Sequence, residues 1–372
     1  MRLIRRVSLL SGILVFASTL LWLAACGGSG SSSGGGGSTG RNAFLAVPEA
    51  NAVAAYRVDP SSGSFKSVLG SPFTGGNSPI SVVVHPSGKF VYSANQTGND
   101  ISLFDVDSNT GELKEVMPRT PAGLNPTAMI IDSGGDLIFV ANETSNNVSV
   151  FSVSASDGTL TEIQGSPFPA GAKPVALALS PSGQFLYVGS GNLALVFGFT
   201  VTSGTGSLVT IPGSPFTVGS APFAMVVDPS GHFLYAANFG IDTVSGMSIN
   251  STTGALTLTS GSPFATGKNP ISLAIHPSGK YLYVANLGDN TISAYTLDST
   301  TGVATALVKS PFTSGTGPVF LTVDPGGNFV YVCNQTAKTI SQFAINQDTG
   351  GIPSSTTTTS TSVSPGELVF AK

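Results

Sequence analysis

Short apolar runs alternate with turn sequences along most of the chain, and six of the turns follow one pattern. The pattern is x-Pro-Ser-Gly or a close variant, placed between two apolar runs. The first residues of successive turns are 47, 48, 48, 48 and 48 positions apart. Such even spacing indicates a structural repeat. The turns begin at His85, Asp132, Ser180, Asp228, His276 and Asp324.

Each repeat predicts four short strands, which we label A to D in chain order. In one repeat they are Ser81–Val84, Phe90–Ala94, Ile101–Val106 and Gly111–Val116. Proline second and glycine fourth in the A–B turn favour a tight type I turn, so strands A and B form a hairpin. The tripeptide Ser-Pro-Phe commonly ends the unit, at residues 71–73, 166–168, 214–216, 262–264 and 310–312.

Strand A is apolar on both faces, which a strand needs when sheets cover it from both sides. In a lone four-stranded sheet those apolar faces are exposed to solvent, whereas stacking several sheets around an axis buries them. Strand B occurs seven times, beginning near Phe44, but strand A occurs only six times before the C-terminus. Residues Pro365–Phe370 match Pro270–Ile275 in their proline and apolar positions. We therefore predict an all-β, seven-bladed β-propeller with four-stranded antiparallel blades, in which the C-terminal strand completes blade 1.

One blade departs from the repeat. The segment Ser354–Ser362 is rich in serine and threonine, lacks Ser-Pro-Phe, and stands where the outer strand of blade 7 belongs. We expect blade 7 to be the least regular of the seven.

The N-terminus precedes the repeats and has the features of a bacterial lipoprotein leader. Basic Met1–Arg6 is followed by an apolar run and then by Leu-Ala-Ala-Cys, ending at Cys26. We interpret residues 1–25 as a signal peptide, Cys26 as the lipidated residue, 26–40 as a flexible Gly/Ser tether and 41–372 as the propeller. The alternative is an uncleaved membrane anchor, since the apolar run is of borderline length for a span. We expect the protein in the cell envelope, at the outer membrane of a diderm bacterium, facing either the periplasm or the outside.

The composition of the chain limits the classes of partner that the protein is expected to bind. Only 9% of residues are charged, and the formal net charge is −4, falling to −7 if the three arginines of the leader are removed. No basic stripe is present, so a nucleic-acid partner is disfavoured. The cysteines, Cys26 and Cys333, stand in different contexts; we expect two separate roles, Cys333 being a buried apolar residue in strand B.

The motif Tyr-Val-Ala-Asn at Tyr283–Asn286, with near-copies at Phe139–Asn142, Tyr235–Asn238 and Tyr331–Asn334, resembles the YVTN-type propeller repeat. Together with the Thr-Gly turn and the seven-blade count, the pattern is similar to the lactonase-like propeller family, over Arg41 to Lys372. That family includes 6-phosphogluconolactonase and a muconate-cyclising enzyme, so the resemblance implies the fold and a possible lactone chemistry. Both enzymes handle anionic substrates, yet we expect neither Arg57 nor Arg119 to lie in the channel, because they fall in strand C and near the end of strand D.

The B–C loops carry an asparagine in five of the seven blades: Asn95, Asn142, Asn238, Asn286 and Asn334. Blades 1 and 4 differ, with Pro48 and Gly189. A second set comprises Asn99, Asn147 and Asn290. A ring of amides at the channel mouth is a candidate polyol or sugar site. The alternative, which we favour, is that asparagine braces each turn, because repetition is typical of architecture.

No catalytic triad, metal-ligand spacing or phosphate loop is recognisable, and we expect no cofactor and no metal site. Glu49, beside Pro48, is the first candidate general base, although an exposed loop carboxylate is the simpler reading. Two functions therefore remain open. One is a monomeric, lipid-anchored binding scaffold for a carbohydrate, small molecule or protein. The other is a lactonase-like hydrolase of sugar lactones.

Overall fold

Each repeat forms one antiparallel sheet in the computed structural model, which describes residues 40–352 and 357–371. There are seven sheets, and strand A of each contacts strand A of both neighbours, so the seven inner strands form a closed ring. The predicted seven-bladed β-propeller is confirmed. Within the described ranges, no helix is long and apolar enough to span a membrane. The predicted leader, Cys26 and the tether up to Thr39 lie outside them.

The four strand positions have these bounds, in blade order from 1 to 7. Strand A is Leu368–Phe370, Pro79–Val84, Pro126–Ile131, Pro174–Leu179, Pro222–Val227, Pro270–Ile275 and Pro318–Val323. Strand B is Arg41–Val47, Phe90–Asn95, Leu137–Asn142, Phe185–Ser190, Phe233–Asn238, Tyr281–Asn286 and Phe329–Asn334. Strand C is Ala52–Val58, Asp100–Val106, Asn147–Val153, Leu195–Val201, Thr243–Ile249, Thr291–Leu297 and Thr339–Ala344. Strand D is Phe65–Ser67, Leu113–Pro121, Leu160–Glu162, Leu208–Thr210, Leu256–Leu258, Ala304–Ala306 and Thr357–Ser360. A 3₁₀ turn, Pro48–Ala50, joins strands B and C of blade 1.

The C-terminal strand closes the ring as predicted. Leu368 pairs with Leu45 and Phe370 with Ala43, antiparallel to strand B of blade 1. Leu368 is fully buried in the cluster that joins blades 7 and 1. The pairing places both ends of the propeller in one sheet, so that the first blade has no unpaired inner edge of strand B.

The outer strand is more elaborate than the sequence predicted. After strand D the Ser-Pro-Phe motif begins a second, two-residue segment that pairs with the start of strand C, as Phe264 does with Val244. Between strand D and this segment, the serine of the motif takes the place of a strand residue as hydrogen-bond acceptor. The Ser262 Oγ accepts a hydrogen bond from the Gly246 N–H of strand C at 3.0 Å. Equivalent second segments are Phe73–Thr74, Phe168–Pro169, Phe216–Thr217 and Phe312–Thr313.

Blade 7 differs from this scheme, in line with its irregular sequence. Its outer strand Thr357–Ser360 pairs with Thr339–Gln342, at the start of strand C. In blade 6, strand D pairs with the end of strand C and the second segment with its start. The strand of blade 7 therefore occupies the position of the second segment.

A tyrosine in strand B joins each of five blades to the next one. The Tyr235 hydroxyl donates to the Gly302 carbonyl at 2.9 Å, and Gly302 lies in the C–D turn of the neighbouring blade. That glycine has φ +70°, and a Cβ on it would lie 2.3 Å from the Phe233 ring. The same bond is made by Tyr92, Tyr187, Tyr283 and Tyr331. Apolar packing alone does not fix how neighbouring sheets are aligned. The buried hydroxyl hydrogen bonds are directional, so they fix this alignment.

We predict that truncation after Ser364 severely destabilises the propeller. The change removes the buried Leu368 and exposes the inner edge of blade 1, and loss of one buried leucine alone costs about 2–5 kcal/mol. Thermal unfolding followed by circular dichroism should show a midpoint lower by at least about 10 °C. Removal of Lys372 alone is the control and should leave the midpoint unchanged. An unaltered midpoint in the longer truncation would contradict the closure.

Candidate active site in the central channel

The inner edge of strand A faces the propeller axis. Along strand A, every second residue makes backbone hydrogen bonds to strand B. If the proline that begins the strand is position one, the N–H groups of positions four and six point away from strand B. In three blades the fourth-position N–H donates to a third-position side chain of the preceding blade. These bonds are Val82 N to Glu367 Oε2 (3.0 Å), Met129 N to Ser81 Oγ (3.1 Å) and Leu321 N to Ser272 Oγ (3.0 Å).

Glu367 directly precedes strand A of blade 1, at the third position counted from Pro365, and no A strand within the described residues contains a charged residue. Its carboxylate accepts hydrogen bonds from the Val82 N–H and from the Ser81 side chain, both in blade 2. Burial opposes these bonds and dominates, raising the pKa of Glu367 to about 7. A carboxyl group with such a pKa both takes up and returns a proton near neutral pH, which is the property required of a general base.

The exposed part of Glu367 faces a cavity of about 370 Å³ at the A–B turn end of the channel. Its wall comes from the A strands and turns of blades 1, 2, 3 and 7. Most lining side chains are aliphatic or aromatic, and Thr322 adds a hydroxyl. The lining residues are Val83, Val84, His85, Pro86, Ile130, Ile131, Phe320, Thr322, Val323, Pro325, Glu367, Leu368, Val369 and Phe370. A concave apolar site with few polar groups is the usual form of a small-molecule site.

The backbone N–H of the residue that follows Glu367 differs from its counterpart in blade 2. The Ala371 N–H bonds to strand B at the Asn42 carbonyl (2.9 Å), so alternation directs the Leu368 N–H away from strand B and toward the axis. In the preceding blade the third position is Phe320, whose side chain has no acceptor. The Leu368 N–H therefore lacks the third-position partner that Val82 has, although Leu368 is 0% exposed, so this N–H does not face the cavity.

The five B–C asparagines lie inside the blades, and each is 0% exposed. The Asn286 Nδ2 donates to Thr291 Oγ1 (3.0 Å) and to Ser293 Oγ (2.9 Å) of strand C. A glycine of the D–A loop covers each amide, and a Cβ on Gly267 would lie 2.6 Å from that Nδ2. This placement supports the bracing role rather than a ligand site. The same amide contacts to strand C occur at Asn95, Asn142, Asn238 and Asn334.

The register corrects two details of the sequence alignment. The positions equivalent to these asparagines are Val47 in blade 1 and Ser190 in blade 4, one residue from the predicted Pro48 and Gly189. The error arose because a strand pattern fixes the apolar alternation but not the residue at which the strand ends.

The second set of asparagines joins neighbouring blades. The Asn99 and Asn290 side chains accept hydrogen bonds from the D–A loop of the next blade, at Asn125 N and Gly317 N, both 2.7 Å. The equivalent residue of blade 3 is Asn146 and not the predicted Asn147, whose Oδ1 instead accepts from Asn142. These bridging residues have positive φ, near +56°, which asparagine tolerates well.

Glu49 lies outside the cavity wall. It is exposed in the 3₁₀ turn, and its carboxylate accepts a hydrogen bond from Ser364 Oγ at 2.8 Å, just before the closing strand. The structure therefore places Glu49 as an anchor of that strand.

The polar residues that begin the A–B turns bond back to turn amides, as Asp228 Oδ1 does with the Phe233 N–H at 2.7 Å. Cys333 is buried in strand B, as expected. No group of three or more His, Cys, Asp or Glu side chains is placed to hold a metal within the described ranges.

Comparison with known proteins agrees with the fold. A family model described as "Lactonase, 7-bladed beta-propeller" matches residues 37–173, 164–270 and 263–369. The chain belongs to this lactonase propeller family. No curated protein matches the chain.

Several solved structures share the fold of this lactonase-family propeller. A protein of Bacteroides uniformis, provisionally named a 6-phosphogluconolactonase, is 18% identical with a TM-score of 0.79, over 90% of this chain and all of that one. A protein of Bacteroides fragilis with the same provisional name is 19% identical with a TM-score of 0.79, over 91% and 100%. A periplasmic gluconolactonase of Pseudomonas aeruginosa is 20% identical with a TM-score of 0.77, over 89% and 99%. At these identities the likeness establishes the fold.

Sequence reasoning missed Glu367 although its signal was present. Aligning Pro365–Phe370 with Pro270–Ile275 puts Glu367 opposite Ser272, so one charged residue interrupts an otherwise uncharged strand position. The B–C loops, where the sequence predicted the site, lie at the other end of the channel. The cavity lies instead at the opposite, A–B turn end of the channel.

We predict that Gly267→Ala lowers the free energy of unfolding by about 2 kcal/mol, because the new methyl group would displace the buried Asn286 amide. Denaturant unfolding measures the change. Gly351→Ala is the matched control, since its Cβ would meet only the Thr349 hydroxyl, at 3.3 Å. Equal stabilities of the two variants would argue against the bracing role.

Proposed function

We propose that this lactonase-family propeller hydrolyses a lactone in the A–B end of its channel, with Glu367 as general base. The observation that carries the proposal is a carboxyl group of pKa about 7 facing a largely apolar cavity. Membership of the lactonase family supports the reaction class. The names of the compared proteins, which include a periplasmic gluconolactonase, support it further.

The chemistry follows from the placement of the Glu367 carboxyl group in the cavity wall. The Glu367 carboxylate removes a proton from water, and the water oxygen attacks the lactone carbonyl carbon. The carbonyl oxygen takes the negative charge in the tetrahedral intermediate that results. When the tetrahedral intermediate collapses, the ring C–O bond breaks and the protonated Glu367 returns its proton to the ring oxygen. One lactone and one water thus yield one hydroxy acid, and Glu367 ends in its starting state.

We predict that Glu367→Gln lowers kcat/KM for lactone hydrolysis by at least about 100-fold, because an amide cannot remove the proton. Hydrolysis of δ-lactones by the purified propeller, corrected for the uncatalysed rate, measures this. In the wild type, the active carboxylate form of Glu367 accumulates above its pKa, so kcat/KM should rise with pH through about 7 and then level off.

Two further variants separate catalysis from folding. Ser81→Ala removes a hydrogen bond that lowers the pKa of Glu367, so the pH profile should move to higher pH while the fold persists. Glu49→Ala tests the sequence-derived candidate and should leave turnover untouched. A folded Glu367→Gln protein with wild-type kcat/KM would remove Glu367 from the mechanism.

A binding scaffold without catalysis is the second candidate, and a different part of the channel favours it. Phe223 in strand A of blade 5 and Phe239 in the following B–C loop lie at the other mouth, with ring centroids 4.9 Å apart. Both rings are half-buried. Such a pair offers a stacking surface for an apolar ligand face. Ligand binding that Phe239→Ala weakens, in a protein without turnover on any lactone, would select this function.

We also propose that the protein is held in the cell envelope by lipid on Cys26. The support is the basic start, the apolar run and the small residues before Cys26. We predict that Cys26→Ser abolishes incorporation of a labelled fatty acid in cells, because the thiol that carries the lipid is gone. Persistent labelling of the variant would refute lipidation at this residue. Cys333→Ser is the matched control and should be labelled like the wild type.

A further inference from the structure

The walls of the channel cavity differ in charge from those of a phosphate-binding site. Among its described lining residues there is no lysine or arginine, and Glu367 supplies a carboxylate. Sites that bind phosphate usually present arginine, lysine or a cluster of backbone N–H groups. An anionic substituent placed here would be desolvated against aliphatic walls and repelled by the base itself.

The cavity is also poor in partners for hydroxyl groups. Its polar side chains are Glu367, Thr322 and His85, and the His85 Nδ1 is already bonded to Ser87 Oγ at 2.7 Å. A sugar lactone would bring several hydroxyls into contact with Val84, Ile131 and Val323. Buried hydroxyls without partners weaken binding, whereas alkyl groups gain from the same contact.

We infer that the channel selects uncharged lactones with an apolar substituent over polyhydroxylated lactones, and disfavours phosphorylated ones most strongly. A test of this selectivity by rates of hydrolysis rests on the proposed hydrolytic function. A test by binding affinity depends only on the cavity wall. The selectivity and the hydrolytic function can therefore fail separately.

The first experiment compares kcat/KM for δ-octalactone, D-glucono-1,5-lactone and its 6-phosphate, with the full propeller. The expected order is the order in which they are named, with the alkyl lactone at least 100-fold above the phosphate. Val323→Lys places a cation in the wall and should raise the relative kcat/KM for the phosphate at least 10-fold. Val323→Gln, of similar length and uncharged, should not. A preference for the phosphate in the wild type would overturn the inference.

The second experiment measures binding without turnover. δ-Valerolactam bearing an alkyl chain and 6-phosphogluconate are titrated into wild type and Val323→Lys, with ligand-observed NMR as readout. Binding of the lactam and not of the phosphate, with no lactone hydrolysed, would reject the hydrolase and uphold the selectivity. Tighter binding of 6-phosphogluconate, or no binding of either compound, would overturn the inference. Circular dichroism of each variant shows whether a loss of binding reflects a loss of fold.

Discussion

Every blade depends on its neighbours because a four-stranded sheet has two apolar faces, and the described residues include no α-helix to cover them. The seven core clusters each combine side chains of adjacent blades, as Leu368 with Tyr331 at the seam of the ring. Burial of apolar area supplies most of the favourable free energy, and it is complete only when the ring is closed. The C-terminal strand is therefore a condition for the whole structure, although it contains only three residues.

Ring closure also determines what the axis can do. Strand A has no strand on its inner side, so its inward N–H groups need other partners. Serine at the third position provides one in blades 2 and 6, and Glu367 provides one in blade 1. The need to give each inward N–H group a hydrogen-bond acceptor thus places a carboxylate at the axis. Where the third position of the preceding blade is alanine or phenylalanine, the fourth N–H has no such side-chain partner, and the Leu368 N–H, which follows Phe320 of blade 7, is one of these.

The parts of the structure that repeat could be predicted from the sequence, because each signal occurs five or more times. The turns and the blade count followed from spacing and apolar pattern. The pairing of Leu368–Phe370 with strand B occurs once, and it followed from the match of this segment to the repeated strand A. The two-part outer strand did not, since no local rule shows that Ser262 caps a ladder bond from sixteen residues away. The candidate site was harder still. Its cavity exists only where four blades meet, and Glu367 is a single exception within a repeat.

Glu367 links the closure of the ring to the proposed chemistry through its ionisation. Burial raises its pKa from the usual range to about 7, so the folded state favours the protonated form. A group whose pKa is higher when folded contributes its full stability below the unfolded pKa and loses it as the pH rises through the folded pKa. Above about pH 7 the carboxylate is therefore active as a base but costs stability at the seam between blades 1 and 2. The hydrogen bonds from Val82 and Ser81 reduce that cost, because they bind the ionised form. Their position on the neighbouring blade means that the base is stabilised only in the closed ring.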